Sequence, residues 1–304
     1  MSERGKILNE GMALPLKRKI VYTLRVLDTA LSDGYNMNGD DACPCNSWAV
    51  SYGGGNDSTA LVHLIREVAG HKDIPTVYSA TRYDDRSVTR RVAWARRRWG
   101  IETCYPDRLT AETWRKVGFP MWTKAVAEKV GVYLRTGDDK HLKHVPESIR
   151  PKARKLKDAG LMVSDKCCNL LKKKPLKKWD KQNGIEGHIM GIRAQESRAR
   201  RLSWIMQGAL YHSKRHRQWL CNPLIFWTKD DVKEFMAKND LPWAETRSGC
   251  RICTFGSHMT NGENNALVEL KETTPKMYDL IMNDYGLADV YRVTGEPLPW
   301  QKNQ

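Results

Sequence analysis

The chain has 304 residues, of which 51 are Lys or Arg and 35 are Asp or Glu, so its formal net charge is +16. Hydrophobic residues at 40% and charged residues at 28% are close to the values of globular domains, which excludes wholesale disorder. No apolar run reaches the roughly 18 residues of a membrane span, and basic residues interrupt the N-terminal runs before a secretory signal could form. We therefore expect a cytoplasmic protein with no membrane partner. Its excess positive charge favours a polyanion such as nucleic acid, and a merely soluble basic surface is the alternative.

The first hundred residues predict strands alternating with helices. Apolar residues at spacings of three and four predict an amphipathic helix over residues 15–31. Strands are predicted at Trp48–Val50, Ile74–Ala80 and Ile101–Tyr105, with a helix at Ser87–Trp99 before Gly100. This alternation is typical of an α/β fold with a mostly parallel, doubly wound sheet, and the ligand of such a sheet binds at the carboxyl ends of its strands.

The second half of the chain continues the pattern after a basic segment. Residues 135–182 predict a basic helical insertion, in which lysines lie beside Trp179. Such a segment suits a nucleic-acid track with the ring stacked on a base, or else a solvated helix face. Further strands are predicted at His188–Ile192 and Trp219–Asn222, and a capping box of Thr228 and Asp231 begins another helix.

One glycine turn stands out between a strand and a helix. Ser51–Thr59 reads SYGGGNDST, with three successive glycines where the chain must turn sharply. The free N–H groups at the start of the following helix make such a turn a natural seat for phosphate. The spacing fits neither the nucleoside-triphosphate loop nor the dinucleotide fingerprint. The glycines by themselves predict either a structural turn or a phosphate loop.

Four of the eight cysteines form two tight pairs, Cys167-Cys168 and Cys250-x-x-Cys253. Cysteines of a cytosolic chain serve metal binding or catalysis more often than disulfides. Zinc sites favour pairs separated by two to four residues, whereas a larger iron-sulfur cubane offers each thiolate its own iron and accommodates an adjacent pair. An iron-sulfur cluster, a zinc ion and unliganded core cysteines remain the three interpretations. Cys104 and Cys221 are expected in the core.

The glycine turn resembles the PP-loop, whose usual form is S-F/Y-S-G-G-K-D-S. Further along, Gly191-Ile192-Arg193-x-x-Glu196-Ser197-x-x-Arg200 and Leu241-Pro242-Trp243 are similar, in the same order, to the phosphoadenosine phosphosulfate (PAPS) reductase family. An adjacent Cys-Cys with a distant C-x-x-C resembles the 4Fe-4S ligands of adenylylsulfate reductases and of the ATPase component of DNA phosphorothioation systems. The resemblance covers roughly residues 46–256.

The resemblance implies an adenine nucleotide alpha-hydrolase fold with a nucleotide over the glycine turn. It implies domains at 1–45 (helical), 46–256 (nucleotide-binding, with the insertion and the cysteine cluster) and 257–304 (a helical tail). Asp57, Ser58 and Arg193 would be catalytic, and Cys167, Cys168, Cys250 and Cys253 would ligate a 4Fe-4S cluster. The nucleotide would be bound by Ser51, Gly53, Gly54, Gly55, Asn56, Asp57, Ser58, Arg193, Glu196 and Arg200, with Glu196 orienting one of the arginines.

The sequence also departs from the family pattern. Asn56 stands where the loop usually has lysine, which removes a positive charge, and Gly53 replaces the usual serine. Ala80 occupies the place of a carboxylate that normally contacts the nucleotide. Sulfonucleotide reductases attack the substrate sulfur with a cysteine of a mobile C-terminal segment, and no cysteine follows Cys253 in this sequence. The simple reductase interpretation then requires a thiol from Cys43, Cys45 or another protein.

The resemblance favours an enzyme that uses ATP and Mg²⁺ to adenylate an oxygen on a nucleic acid, after which sulfur displaces AMP. DNA phosphorothioation is the most similar reaction, followed by tRNA thiolation. The sulfur donor would be a partner such as a cysteine desulfurase. Sulfonucleotide reduction is the rival reaction, and a binding module without turnover is the non-enzymatic alternative.

Overall fold

The structure is a computed structural model and describes residues 2–32, 44–245, 249–256 and 266–301. It contains two compact units built from segments that alternate along the chain. The sheet unit comprises Met1–Ser79, Asp85–Cys104 and Leu176–Ser248. The helical unit comprises Ala80–Asp84, Tyr105–Pro175 and Gly249–Gln304. The division into 1–45, 46–256 and 257–304 stays a prediction.

The sheet has six strands: β1 (Trp48–Tyr52), β2 (Thr76–Ser79), β3 (Glu102–Cys104), β4 (Gly187–Met190), β5 (Leu210–Ser213) and β6 (Gln218–Cys221). Their order is β3-β2-β1-β4-β6-β5. Every neighbouring pair is parallel except β5 and β6, which form an antiparallel edge hairpin. The predicted α/β class with a mostly parallel sheet is confirmed. The strand order reverses between β1 and β4, which makes their carboxyl ends the switch point where ligands bind in open α/β sheets.

The described α-helices are α1 (Glu3–Ala13), α2 (Leu16–Leu31), α3 (Asn56–His63), α4 (Arg86–Trp99), α5 (Ala111–Val117), α6 (Lys124–Thr136), α7 (Arg150–Asp158), α8 (Lys166–Cys168), α9 (Lys174–Asn183), α10 (Arg198–Gln207), α11 (Lys229–Lys238), α12 (Ala266–Thr273), α13 (Pro275–Asp279) and α14 (Leu287–Thr294). Five-residue π turns extend α3, α8 and α13. None of these described helices has the length and apolar character that crossing a membrane requires.

Local sequence explains where several of these elements begin and end. Asp85 caps α4 by accepting from the Ser87 N–H, and Gly100 ends this helix in the left-handed conformation. The predicted capping box of α11 is confirmed, because Thr228 and Asp231 exchange side-chain and backbone hydrogen bonds. Asp231 also accepts a hydrogen bond of 2.6 Å from the buried ammonium of Lys19, and this ion pair ties α11 to α2.

Two features of the sheet unit differ from the sequence prediction. Strand β5 was not predicted, because its four residues carry no long apolar run. Stacking of Trp179 on a nucleic-acid base was one of two interpretations of its segment, but the residue is only 8% exposed, and its indole Nε1 donates to Glu102 at 2.9 Å. The ring belongs to the core around Ala49 and Val77, so the predicted stacking is wrong. Cys104 and Cys221 are buried as predicted.

The helical unit has its own core, in which large aromatic and aliphatic side chains from α5, α6, α7 and α14 are fully buried. Trp114 and Trp122 are each 1% exposed. The Trp122 indole donates to Glu296 at 2.8 Å, and Lys152 pairs with the same carboxylate at 2.7 Å. The same core includes Leu171 and Ile252, which are sequence neighbours of the two cysteine pairs.

Candidate active site

The glycine turn lies between β1 and α3, at the switch point of the sheet. Gly54 has φ +68°, and a Cβ on it would stand 2.7 Å from Cγ1 of Val88. Gly191, which follows β4, approaches the loop so closely that its Cβ would meet the Asp57 carbonyl at 3.0 Å. These positions accept only glycine without strain, because a side chain would clash with α4 or with the loop.

Hydrogen bonds inside the turn shape its backbone. Ser58 Oγ accepts from the Gly53 N–H at 3.1 Å and donates to the Gly55 carbonyl at 3.1 Å. Gly55 is the N-cap of α3, and no side chain caps this helix. The first N–H groups of α3 are therefore available to an anion, because they have no partner within the helix. Ser58 therefore holds the loop backbone in shape, and Gly55, which has no side chain, leaves the start of α3 uncapped.

Ser51 is held by a chain of polar groups behind the loop. Its Oγ lies 2.9 Å from Nδ1 of His188 on β4, and Nε2 of His188 lies 2.9 Å from the Asp180 carboxylate. The other Asp180 oxygen accepts from Gln218 at 2.9 Å. Ser51 thus links β1 to β4, and its predicted contact with the nucleotide stays a prediction.

Asn56 makes contacts that a lysine could not make. Its Nδ2 donates to the Ala244 carbonyl at 2.9 Å, and its Oδ1 accepts from the Ala244 N–H at 2.9 Å. The Arg91 guanidinium of α4 donates to the same Oδ1 at 2.7 Å and to the Gly54 carbonyl at 3.2 Å. Burial lowers the pKa of Arg91 from its usual range. A buried cation therefore stands behind the loop position where the family has lysine.

An ion pair joins the loop to the end of β4. Arg193 donates to both Asp57 oxygens, at 2.7 Å from Nε and 3.3 Å from the terminal nitrogen, and to Gln195 at 3.0 Å. Glu196 accepts from the Arg193 N–H at 3.1 Å and pairs with Arg200. Burial lowers the pKa of Arg200, against the opposing effect of the Asp57 carboxylate.

These side chains surround one open pocket in the sheet unit. Its empty volume is about 940 Å³, including solvent at its mouth, which is within the usual size range of ligand pockets. The lining residues are Gly55, Asn56, Asp57, Arg193, Glu196, Arg200, Lys229, Trp243, Ala244 and Glu245. Six of the predicted nucleotide residues are thus brought together. Ser51, Gly53, Gly54 and Ser58 are not among the lining residues and support the loop from behind.

Sequence reasoning missed five residues of this site: Arg91, Lys229, Trp243, Ala244 and Glu245. Lys229 is the first residue of α11, and its exposed side chain lines the pocket. The capping box at Thr228 gave a signal for Lys229, because it placed a lysine at a helix start after a strand. Trp243 belonged to a recognised motif without an assigned role. Arg91 carried no distinguishing signal among the many arginines of α4.

The four predicted cluster cysteines line a second pocket, inside the helical unit, together with Thr81 and Lys172. The Cys167 thiol donates to Cys168, and the nearby ammonium groups of Lys124 and Lys172 favour the Cys168 thiolate. These effects lower the pKa of Cys168 to about 6 and leave the pKa of Cys167 raised. Burial raises the pKa of Cys250 to about 12.

A metal group fits this pocket by its donor chemistry, since four sulfur ligands are what an iron-sulfur cluster or a zinc ion takes. Among the residues that the structure describes, no three His, Cys, Asp or Glu side chains form a group that could hold a metal ion as they stand. The sulfurs would therefore have to move inward around a bound group. Of the other two candidate thiols, Cys45 is buried, and Cys43 lies outside the described residues.

Residues 124–248 match the family model of the phosphoadenosine phosphosulfate reductase domain. This range is less than half of the chain, so the chain is similar to the family over that segment. The resemblance predicted from the motifs is thereby confirmed. The matched range includes Cys167, Cys168, Arg193 and Arg200, and it begins after the glycine turn.

The curated relative and the solved structures that this chain matches are enzymes. Adenosine 5'-phosphosulfate reductase of Oceanobacillus iheyensis is 35% identical over 97 residues, which span 30% of this chain and 38% of the relative. The structure of PAPS reductase from Candida auris, a phosphate complex, aligns with 14% identity and a TM-score of 0.43, over 68% of this chain and 82% of its own. The U34-tRNA thiolase NcsA from Methanococcus maripaludis, with its 4Fe-4S cluster, aligns with 13% identity and a TM-score of 0.38, over 93% and 80%.

Proposed function

We propose that the chain is an ATP-dependent enzyme that adenylates an oxygen on a nucleic acid and so prepares it for sulfur insertion, as in DNA phosphorothioation or tRNA thiolation. The observation that carries the proposal is the pocket at the β1–β4 switch point. An uncapped helix start, Arg193, Arg200 and Lys229 converge there. Such a set of donors suits a polyphosphate, since phosphate oxygens bind helix N-termini and guanidinium groups.

The residues of the pocket have different roles in the first step, the adenylation of the acceptor oxygen by ATP. The N–H groups at the start of α3 and the guanidinium of Arg200 bind the phosphates, and Arg193 neutralises charge that builds on them in the transition state. Asp57 holds Arg193 in place through two hydrogen bonds, and its carboxylate is the natural ligand for a Mg²⁺ ion that accompanies ATP. Ser58 keeps the loop in shape.

The chemistry balances in two displacements. The acceptor oxygen attacks the α-phosphorus of ATP, the bond to the β-phosphate breaks, and pyrophosphate leaves with its electron pair. A hydrosulfide equivalent from a donor protein, such as a cysteine desulfurase, then attacks the carbon or phosphorus that bears the activated oxygen, and AMP leaves with that oxygen. Arg193 and Arg200 stabilise both leaving groups, pyrophosphate and AMP, because both of these groups are phosphate anions.

The cysteine pocket would serve the sulfur half of the reaction. Cys167, Cys168, Cys250 and Cys253 would hold a 4Fe-4S cluster, with zinc as the alternative metal. When bound, such a cluster would supply an iron site able to take up sulfur. Lys124 and Lys172 favour a thiolate at Cys168, the ionised form that any of these metals requires.

The proposal is tested by pyrophosphate release from ATP under anaerobic conditions, with the protein reconstituted with iron and sulfide. We expect release to depend on Asp57 and to rise when DNA or tRNA is added. A protein that binds ATP and nucleic acid but never releases pyrophosphate would be a binding module, which is the non-enzymatic outcome.

Sulfonucleotide reduction is the second candidate, and the adenosine 5'-phosphosulfate reductase of Oceanobacillus iheyensis favours it. The pocket would also suit the phosphate and sulfate of a sulfonucleotide, since both are anions. This candidate predicts sulfite formation from a sulfonucleotide when thioredoxin supplies the thiol. No sulfite under those conditions, with pyrophosphate release from ATP, would leave the adenylating enzyme.

A further inference from the structure

We propose that Trp243 is the surface on which the base of the bound adenine nucleotide stacks, and that Asn56 is the positioning residue that holds Trp243 beside the phosphate loop. This inference rests on the proposed function, because it assumes that the switch-point pocket takes a nucleotide. It assigns a role to the residue that replaces the usual lysine of the loop.

Asn56 pairs with Ala244 as one backbone segment pairs with another. The amide gives one hydrogen bond to the Ala244 carbonyl and takes one from the Ala244 N–H, both at 2.9 Å. A lysine at this position has donors only, so it could not satisfy the Ala244 N–H. The residue that follows Trp243 is therefore fixed to the first residue of α3, and the tryptophan is held next to the site where phosphates are expected.

Arg91 fixes the orientation of the Asn56 amide. A guanidinium can only donate hydrogen bonds, so the amide oxygen must face it. The observed bond of 2.7 Å joins Arg91 to Oδ1, and this leaves Nδ2 to donate to Ala244. The Arg91 side chain is 6% exposed and also bonds the Gly54 carbonyl. The contact between the loop and the Trp243 segment is thus supported from the core of the sheet unit.

The Trp243 ring has the exposure and the neighbours that a stacking surface needs. It is half-buried and lines the pocket together with Asp57 and Arg193. Within the described part of the chain it forms no ring pair, unlike Trp204 and Trp227, which are buried against phenylalanines. A tryptophan that serves only the core would be covered in the same way. A nucleotide has an anionic end and a flat aromatic end, and this pocket offers a partner for each.

Calorimetric titration of the protein with ATP and with inorganic tripolyphosphate separates the binding of the base from the binding of the phosphates. We expect Trp243→Ala to weaken ATP binding by about 5- to 150-fold, the range for loss of one stacked base. Tripolyphosphate affinity should change less than about twofold, because it has no base. Trp243→Phe should keep ATP affinity within about fivefold, since a ring remains. The matched control is Trp94→Ala on α4, which removes a half-buried tryptophan that does not line the pocket.

The positioning role of Asn56 is tested in the same assay. Asn56→Ala should weaken ATP binding, and its effect should largely disappear in the Trp243→Ala background, because both changes remove the same contact. Additive losses from Asn56→Ala and Trp243→Ala would overturn the positioning role. Thermal unfolding of each variant shows whether it is folded, and Trp243→Leu, which removes the ring but keeps an apolar side chain, carries the test if Trp243→Ala does not fold.

Three results would overturn the stacking proposal. The first is an unchanged ATP affinity in Trp243→Ala, which would leave the proposed function standing. The second is an equal loss of ATP and tripolyphosphate, which would make Trp243 a general support of the pocket. The third is a loss confined to a short DNA or RNA oligonucleotide, which would assign the ring to the acceptor. A wild-type protein that binds tripolyphosphate but no ATP would instead refute the proposed function.

Discussion

Replacing Arg193 is the sharpest perturbation of the phosphate site. Its guanidinium makes two hydrogen bonds to Asp57 and one to Gln195, and its side chain is only 10% exposed. In Arg193→Gln the nucleotide loses a cation, and the Asp57 carboxylate loses its partner and faces the phosphates directly. Loss of a charge-assisted hydrogen bond costs about 1.5–3 kcal/mol, and repulsion from the freed carboxylate adds about 1 kcal/mol at partly exposed distances.

These contributions predict that Arg193→Gln weakens ATP binding by about 2.5–4 kcal/mol, or roughly 70- to 900-fold. Calorimetric titration of the folded variant with Mg²⁺-free ATP measures the change, because a Mg²⁺ ion bound to Asp57 would cancel the repulsion. The ATP affinity of Arg193→Lys should lie between those of the wild type and Arg193→Gln, because lysine keeps the charge but cannot bind the Asp57 carboxylate with two parallel hydrogen bonds. The matched control is Arg198→Gln, which removes an exposed arginine that does not line the pocket. An ATP affinity of Arg193→Gln within about threefold of the wild type would refute the assignment of the phosphate site.

Three further predictions concern the loop, its helix and the cysteines. Gly54→Ala should lower the free energy of unfolding by about 1–3 kcal/mol, the usual cost of overpacking, and Val88→Ala should restore part of it in urea denaturation; an unchanged midpoint would contradict the close approach. Burial lowers the pKa of His63 below 6.5, so the unfolded chain takes up a proton first as the pH falls. The free energy of unfolding should therefore be fully retained above about pH 6.5 and decrease below it, and His63→Gln should remove this part of the pH dependence; an identical slope in the variant would exclude His63 as its source. Cys168→Ala should reduce iron and acid-labile sulfide after anaerobic reconstitution to less than about half, whereas Cys104→Ala, in the sheet core, should not; equal metal content in both would contradict the cysteine site.

The sequence predicted the parallel strands because each is a short apolar run that ends near a glycine or a polar turn. Strands β2 and β3 lie within the segments expected for them, and β1, β4 and β6 overlap theirs. The edge strand β5 was not predicted, because its pairing depends on a hairpin with β6 rather than on apolar character. The surface position expected for Trp179 was wrong, because its lysine neighbours suggested a surface while the ring itself is buried in the core.

The site residues that belong to a recognised motif could be predicted from the sequence, whereas those placed by contacts between distant segments could not. Asp57, Arg193 and Arg200 followed from the family resemblance, and they line one pocket. The sequence marked Asn56 only as a lost lysine. Its pairing with Ala244 joins residues far apart in the chain, and the support from Arg91 depends on how α4 lies against the loop. Such contacts have no local signature, because they arise only when the sheet has formed.

Pyrophosphate release from ATP tests the central claim most directly. The account predicts that anaerobically reconstituted protein releases pyrophosphate in the presence of DNA or tRNA. It also predicts that Asp57→Asn lowers the rate by about 100-fold or more, the scale expected when a group that organises transition-state charge is lost. Release at the same rate in Asp57→Asn and in the wild type, or no release from a wild-type protein that binds both ATP and nucleic acid, would contradict it.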